Sequence, residues 1–409
     1  EIVGIAASLT LRPGEAWVYP YYRDQALVLG LGVPTADILR QVMGKATDPA
    51  SGGRTMPNHF SSPKLRIVSQ SSPTGTQFLQ AVGTAEAGRL IRRAGALRQG
   101  GRPDEVVYVS SGEGATSQGE FYEAVNAAIL GELPVLFVIE DNEYAISVPV
   151  EEQTAGGSIS RVLSGFEGLH IECVDGLDLA SACRGLERAV AWSRSGRGPS
   201  LVHARVVRLA PHSDSDEDSA YRPERERSEV NARDPLPRLE SLLGEAGIEA
   251  SELESIRLSV VDEVRAAVDA VEKENDPSGS TAIVHVFDPS PAIKVETPAI
   301  EDGEPITLVD AIHRTLADEM ERNALIVVFG EDVADVSRAA YLDEVRGKGG
   351  VFKVTAGLQR RFGSDRVFNT PLAEAAIVGR AVGMAVRGSR PVVEIQFLDF
   401  VWPAMNQIR

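Results

Sequence analysis

A glutamate between two glycines, Gly112-Glu113-Gly114, closes the apolar run Val106-Val107-Tyr108-Val109, and Asn142 follows a second run, Val135-Leu136-Phe137-Val138-Ile139. A carboxylate and a carboxamide are hard oxygen donors. Magnesium takes oxygen ligands in octahedral geometry, keeps waters, and commonly uses one or two protein side chains plus phosphate oxygens. Glu113, Asn142 and a backbone carbonyl near Tyr144 suit that demand. Gly112 and Gly114 allow the backbone close to a phosphate, and a helix beginning near Thr116 or Ser117 offers free N–H groups. The chemistry indicated is a divalent cation holding a diphosphate. An isolated G-E-G also fits an ordinary strand-to-helix turn. A dinucleotide turn with Glu140 or Asp141 as the ribose-binding acid competes as well, but it wants a third glycine at 117, where Ser117 stands.

These residues meet only if the two runs lie side by side. Both are short, rich in β-branched and aromatic residues, and lack polar alternation, which predicts parallel strands buried on both faces. Between them Phe121, Val125, Ala128 and Ile129 recur at helical spacing, and Gly131 and Pro134 punctuate the exit. The result is a βαβ unit, whose parallel strands bring both carboxyl ends to one edge, where open α/β sheets bind ligands. Further strands are expected at 171–174 and 201–207. The charged stretch 208–238 reads as a solvated loop, and helical periodicity returns from Leu239 to about Lys273. A proline-rich, acidic stretch from Asp288 to Pro305 marks a linker. Beyond it Leu308, Ile312, Leu316 and Met320 share a helical face, and strands are expected at 325–329 and 391–395. The fold class expected is α/β: two three-layer domains, 1–285 and 306–409, each a parallel sheet flanked by helices, joined by a linker over 286–305.

A chain of 409 residues has room for two or three domains. Its 41 Lys plus Arg against 59 Asp plus Glu give a formal charge of -18, which argues against nucleic acid or an anionic membrane as the main partner. Cys173 and Cys183 form no C-x-x-C or metal spacing, in keeping with a reduced, cytoplasmic setting. No apolar run reaches 18 residues and no signal-like start is present. The opening Glu1-Ile2-Val3-Gly4-Ile5-Ala6-Ala7 reads like the middle of a helix, and the end at Arg409 is abrupt, so a piece of a longer chain is expected. Repeats with periods of 20 to 50 residues are absent. Asp214, Asp216 and Asp218 have calcium-loop spacing, but Ser219 in place of glycine and Arg225 at the last position exclude that loop.

The segments from Ser111 to Glu120 and from Asp141 to Pro149 resemble the thiamine-diphosphate motif of 2-oxo acid dehydrogenases. More narrowly they resemble the alpha subunit of the branched-chain 2-oxoisovalerate type, which carries glutamate in the middle of the triplet. The resemblance implies Glu113, Asn142 and the Tyr144 carbonyl as magnesium ligands, with Gly112, Gly114, Ala115, Ala145 and Ile146 against the cofactor. Tyr21-Tyr22-Arg23-Asp24 is similar to a segment whose Tyr-Arg pair, here Tyr22 and Arg23, reaches the diphosphate; a guanidinium fork suits phosphate oxygens. Gly53-Arg54-Thr55-Met56-Pro57-Asn58-His59 resembles the family's G-R-x-M-P-x-H, with His59 either at the entrance or structural. The segment from Ser71 to Gln77 resembles one that meets the cofactor, through Ser72 and Thr74, and binds potassium through Ser71, Pro73, Thr76 and Gln77. An N-capped helix start explains that Ser/Thr cluster equally well. Arg208 to Arg222 resembles the active-site loop, with His212 as its histidine near the diphosphate and Ser213 at a position phosphorylated in mitochondrial relatives. Glu140 stands where branched-chain members often carry arginine.

After the linker, Ile306 to Ile312, Phe329 to Val333, Gly349 to Thr355, Asn369 to Glu374 and Glu394 to Phe400 resemble, in that order, the first third of the beta subunit of the same enzymes. By that resemblance Glu374 is the glutamate that hydrogen-bonds and activates the cofactor's pyrimidine. Glu331, Leu372, Gln396 and Phe400 surround the pyrimidine and substrate, Phe400 replacing a common tyrosine. Taken alone, Glu374 is also a helix-start glutamate of the kind a macrodipole favours. The resemblance therefore implies two thiamin-diphosphate-binding-type domains, alpha and beta in one chain. It further implies thiamine diphosphate and Mg2+ as cofactors with K+ as a third, a homodimer of fused chains, and a lipoyl acyltransferase partner. The reaction expected is oxidative decarboxylation of a small branched-chain 2-oxo acid. A pyruvate or acetoin enzyme and a non-catalytic scaffold of the same fold are the alternatives.

Overall fold

A computed structural model describes residues 1–95, 104–284 and 305–409. The linker expected over 286–305 lies outside the described residues except for Pro305. The first sheet comprises β1 (Trp17–Tyr19), β2 (Val107–Gly112), β3 (Val135–Asp141), β4 (His170–Asp175) and β5 (Ser200–Arg205), in the order β1-β2-β3-β5-β4, with every pair parallel. Successive side chains point to opposite faces of a strand, so one apolar run feeds two cores. Tyr108, Leu136, Val138 and Val202 face the helices Ile2–Thr10 and Leu179–Arg194. Val107, Val109, Phe137, Ile139 and Leu201 face the opposite layer, formed by α1 (Thr76–Arg93) and α2 (Gly119–Leu130) through Phe78, Val82, Phe121 and Val125. Each such fully buried apolar side chain contributes about 1.5–3 kcal/mol.

The second sheet is β6 (Ile326–Gly330) between β8 (Arg390–Glu394) and β7 (Val367–Asn369), again all parallel. Helix α3 (Leu308–Arg322) begins with a capping box in which Thr307 and Asp310 satisfy each other's backbone N–H groups. Its last turns bury Ala317 and Met320 on β6, but the face read from the sequence is open at the start, with Leu308 77% exposed. The small sheet reaches only the end of that helix. On the other face α4 (Glu374–Arg387) packs Ile377 and Met384 against Val327 and Phe329. The expected α/β class with helix-flanked parallel sheets is thus observed.

Three local expectations need correction. The stretch 208–238 is not all loop: Glu224–Asn231 is a helix, preceded by a short 3-10 turn at Asp218–Ala220. Arg222 pairs with Glu226 at 3.0 Å and Arg225 with Glu229 at 3.4 Å, the i,i+4 arrangement that lets a charge-rich segment stand as an exposed helix. The periodicity from 239 to 273 divides into Pro235–Glu245 and Ala250–Val271, broken where Gly247 takes φ +93°. Val206 and Val207, expected in a strand, lie beyond β5.

The two sheets are joined through α1 and α4, which cross backbone to backbone. A Cβ added at Gly83 would lie 1.9 Å from Arg380 O, and one at Gly383 would lie 1.8 Å from Gln80 O. Thr84 Oγ1 donates to Gly383 O at 2.9 Å. Beside the crossing, Arg380 makes a buried fork on Glu86, 2.8–3.0 Å, and Arg387 pairs with Glu105. Both helices begin at the same end of this layer, which is the end where β2, β3 and β6 terminate.

Candidate active site

The register of β2 and β3 sets Gly112 opposite Glu140, so Glu113 emerges abreast of Asp141 and Asn142, as the βαβ reading requires. A 3-10 turn, Glu113–Ser117, rather than a regular helix, follows β2, and α2 starts only at Gly119. Glu113 is 2% exposed, and its Oε1 has no hydrogen-bond partner among the described residues. Burial first, then the charge of Asp141, pushes its carboxyl up to about 8, against backbone N–H groups of Glu113, Asn142 and Gly114 that favour the ionised form. A bare, dry carboxylate oxygen of this kind gains from a cation, so the donor set fits magnesium. Among the described residues no group of three or more His, Cys, Asp or Glu gathers as a metal site. A cation here would therefore draw on neutral oxygens beside Glu113. Asn142 Oδ1 accepts from Tyr144 N–H at 3.1 Å. Gly114 has a packing reason to be glycine, since a Cβ there would lie 2.7 Å from Ala145 Cβ. That close fit seats the turn with Ala115 on the small hairpin Tyr144–Ala145 and Val148–Pro149.

Positive groups gather on the same side. Arg23, between β1 and the helix Gln25–Gly30, donates from Nη2 to His212 O at 2.7 Å, with His212 Nδ1 at 3.5 Å, and its guanidinium lies 4.9 Å from the Tyr22 ring centroid. Burial, then Arg23 and Arg208, hold the His212 imidazole below its ordinary pKa. His212 N–H and Tyr221 Oη–H both donate to Asp216 Oδ2, at 2.8 and 2.7 Å. Arg208 ties this loop to the hairpin, donating to Ile146 O at 2.6 Å and to Tyr221 Oη at 2.7 Å. The structure thus brings Tyr22, Arg23 and His212 together, and sets Ile146 beside the loop.

The second group surrounds Glu374, at the head of α4. Glu331, where β6 ends, is raised by burial first and then by the charge of Glu374 and a hydrogen bond with it. Glu123 Oε2 caps α4 by accepting Ala376 N–H at 3.0 Å, and its carboxyl is raised by burial and by Glu120 and Glu374. A cavity of about 410 Å³ is lined by Thr74, Gln118, Glu123, Ala375 and Asn406, so the loop before α1 and the head of α4 share one space. Gln396 follows β8, while Leu372 is 80% and Phe400 44% exposed. No hydrogen bond joins Glu374 to Glu113 among the described residues. In the loop itself Ser72 Oγ lies 2.8 Å from His59 Nε2, Thr76 Oγ1 donates to Pro73 O at 3.0 Å, and Gln77 Oε1 is buried without a partner among the described residues. Ser71 is partly buried. His59 is buried, and its Nδ1 lies 3.2 Å from Pro57 O.

Sequence reasoning missed Glu123, the part that Asp216 and Tyr221 play in holding the His212 loop, and the buried pair Ser160 and His203 behind Asp141. The last had a visible signal, a histidine inside the apolar strand run Leu201-Val202-His203-Ala204.

Residues 1–279 match the family model of the dehydrogenase E1 component, and residues 304–409 match that of the transketolase pyrimidine binding domain. The chain is 38% identical over 279 residues to the 2-oxoisovalerate dehydrogenase subunit alpha of Bacillus subtilis (strain 168), covering 68% of this chain and 80% of that protein. It is 32% identical over 254 residues to the 3-methyl-2-oxobutanoate dehydrogenase subunit alpha of Mycobacterium tuberculosis, covering 62% and 63%. A pyruvate dehydrogenase E1 component subunit alpha from Zymomonas mobilis is 29% identical over 289 residues, covering 70% and 78%. With the family model spanning more than half of its length, the chain belongs to the dehydrogenase E1 component family.

Proposed function

We propose that this chain is an alpha-type half (1–285) fused through a linker to the N-terminal part of a beta-type half (306–409), and that it decarboxylates branched-chain 2-oxo acids such as 2-oxoisovalerate. The observation that carries the reading is Glu113: a buried carboxylate with one oxygen unpartnered among the described residues, abreast of Asn142 at the end of β2. Glu113, Asn142 and the Tyr144 carbonyl would hold Mg2+. Tyr22, Arg23, Ser72, Thr74, Ala115, Ala145, Ile146 and His212 would hold the diphosphate side of thiamine diphosphate, and Glu331, Leu372, Gln396 and Phe400 its pyrimidine side. When bound, that cofactor supplies the nucleophilic carbon and the electron sink through which a 2-oxo acid loses carbon dioxide.

The chain's own residues orient, neutralise and manage a proton. Arg23 offers a fork already aimed by the His212 carbonyl. Glu374 would hold a proton at the pyrimidine end, and Glu331, whose neutral form is favoured by burial and by Glu374, would share it. Gln77 Oε1, with Ser71, Pro73 and Thr76, would hold K+ and so brace the loop that carries Ser72 and Thr74. The acyl product would pass to the lipoamide of a partner acyltransferase, and the working form would be a cytoplasmic homodimer.

The glutamate in the G-E-G triplet and the 2-oxoisovalerate relative favour a branched substrate, while the Zymomonas protein keeps pyruvate as the second reading. A panel of 2-oxo acids assayed with an artificial electron acceptor separates them. The extra methyl groups of 2-oxoisovalerate should give a kcat/KM at least about 10-fold above that for pyruvate. A preference for pyruvate would reject the branched-chain assignment.

A further inference from the structure

Behind the metal loop lies a buried polar chain that the proposed chemistry does not use. His203, on β5, is 2% exposed, and its ring bridges two partners: Nδ1 lies 2.8 Å from Ser160 Oγ, and Nε2 lies 2.8 Å from Asp141 Oδ2. Ser158 Oγ lies 3.1 Å from Ser160 Oγ. The direction of the donors follows from the end of the chain. An ionised carboxylate only accepts, so Nε2 carries the proton and donates to Asp141. In a neutral imidazole Nδ1 then accepts from Ser160 Oγ–H, and Ser160 in turn accepts from Ser158.

Asp141 uses its second oxygen on the backbone: Oδ1 accepts the N–H of Glu143 at 2.9 Å and holds that residue at φ +69°, in the left-handed region that non-glycine residues rarely enter. Asn142 stands between Asp141 and Glu143. The carboxylate that His203 anchors therefore sets the backbone on both sides of a residue assigned to the cation.

We propose that the Ser158–Ser160–His203–Asp141 chain positions the metal loop, so that cation affinity depends on His203 although His203 touches neither cation nor cofactor. The inference rests on reading Glu113 and Asn142 as cation ligands. Its physical basis is general: groups that orient a metal ligand from behind are worth about 10–100-fold in affinity.

The probe is manganese(II), titrated into the full chain with thiamine diphosphate present and followed by electron paramagnetic resonance. His203→Leu should weaken manganese binding at least about 10-fold. His203→Gln, whose amide N–H can donate to Asp141 while its oxygen accepts from Ser160, should recover most of that loss. A folding defect in the leucine variant would leave the decision to a second measurement, nitrogen NMR of histidine-labelled protein. There wild-type His203 should appear as the Nε2–H tautomer. Asp141→Asn keeps the acceptor for Glu143 N–H but points an amide donor at the ring, and should move the proton to Nδ1. A folded His203→Leu variant that binds manganese as tightly as wild type would overturn the proposal, and so would an Nδ1–H tautomer in the wild-type protein. Wild-type protein that binds no manganese would instead remove the ligand assignment itself, taking this inference with it.

Discussion

Asp24 shows how much of this site depends on single buried charges. It is almost fully buried, accepts from Tyr21 N–H at 3.0 Å and from Ser110 Oγ, and its carboxyl is raised from 3.8 to about 7 by burial first and then by the charge of Glu140. For an acid whose folded value is raised, the favourable contribution is complete below the unfolded value and disappears as pH rises through the folded one. Asp24 therefore costs stability progressively from about pH 4 to about pH 7. Asp24→Asn keeps an acceptor for both donors but cannot ionise, so it should stabilise the protein by on the order of 1–3 kcal/mol at pH 8 and have almost no effect at pH 4. Thermal unfolding of both proteins at the two pH values checks this. At the residue scale the sequence showed types and neighbours but not burial. Glu113 was readable because its triplet closes an apolar run, whereas nothing in the sequence signalled that His212 N–H and Tyr221 Oη–H converge on one oxygen of Asp216.

At the level of elements, the crossing of α1 and α4 is the part of the architecture most sensitive to size. Gly83→Ala places a methyl group 1.9 Å from the Arg380 carbonyl oxygen, a backbone atom that cannot step aside. The helices must part, at a cost of about 1–3 kcal/mol or more, and Glu374, at the head of α4, must move with them. We expect a lowered Tm together with weakened thiamine diphosphate binding. A variant with the wild-type Tm and affinity would show that the close crossing is unnecessary. The strands around Glu113 were legible because buried parallel strands need unbroken apolar runs, and the starts of β2 and β3 have them. The crossing was not, since Gly83 lies far in sequence from Gly379 and Gly383, and only their tertiary partners give these glycines meaning. The charged helix Glu224–Asn231 was read as loop for a related reason: its support comes from i,i+4 pairs and not from an apolar face.

Across the whole molecule, two sheets end toward a shared space, and a buried ion pair helps hold them there. Arg380→Leu would leave Glu86 ionised and unpaired in the interface and should destabilise the protein by about 3–5 kcal/mol, whereas Arg380→Met combined with Glu86→Leu should recover most of the loss. Urea unfolding of the single and double variants would decide, and equal losses in both would mean that the pair acts by shape alone. The two-domain α/β plan could be read from the sequence through the return of a strand-and-helix pattern after residue 305. The direct packing of α4 on α1 could not, because no local pattern states which helix an exposed-looking glycine face will meet. On the proposed reading, Glu113 and Asn142 hold the cation that holds a diphosphate. Isothermal titration calorimetry with thiamine diphosphate and magnesium tests it most directly. We expect saturable binding by the wild-type chain that requires magnesium and weakens at least about 100-fold in Glu113→Ala. Equal binding by that variant, or none by the wild-type chain, would contradict it.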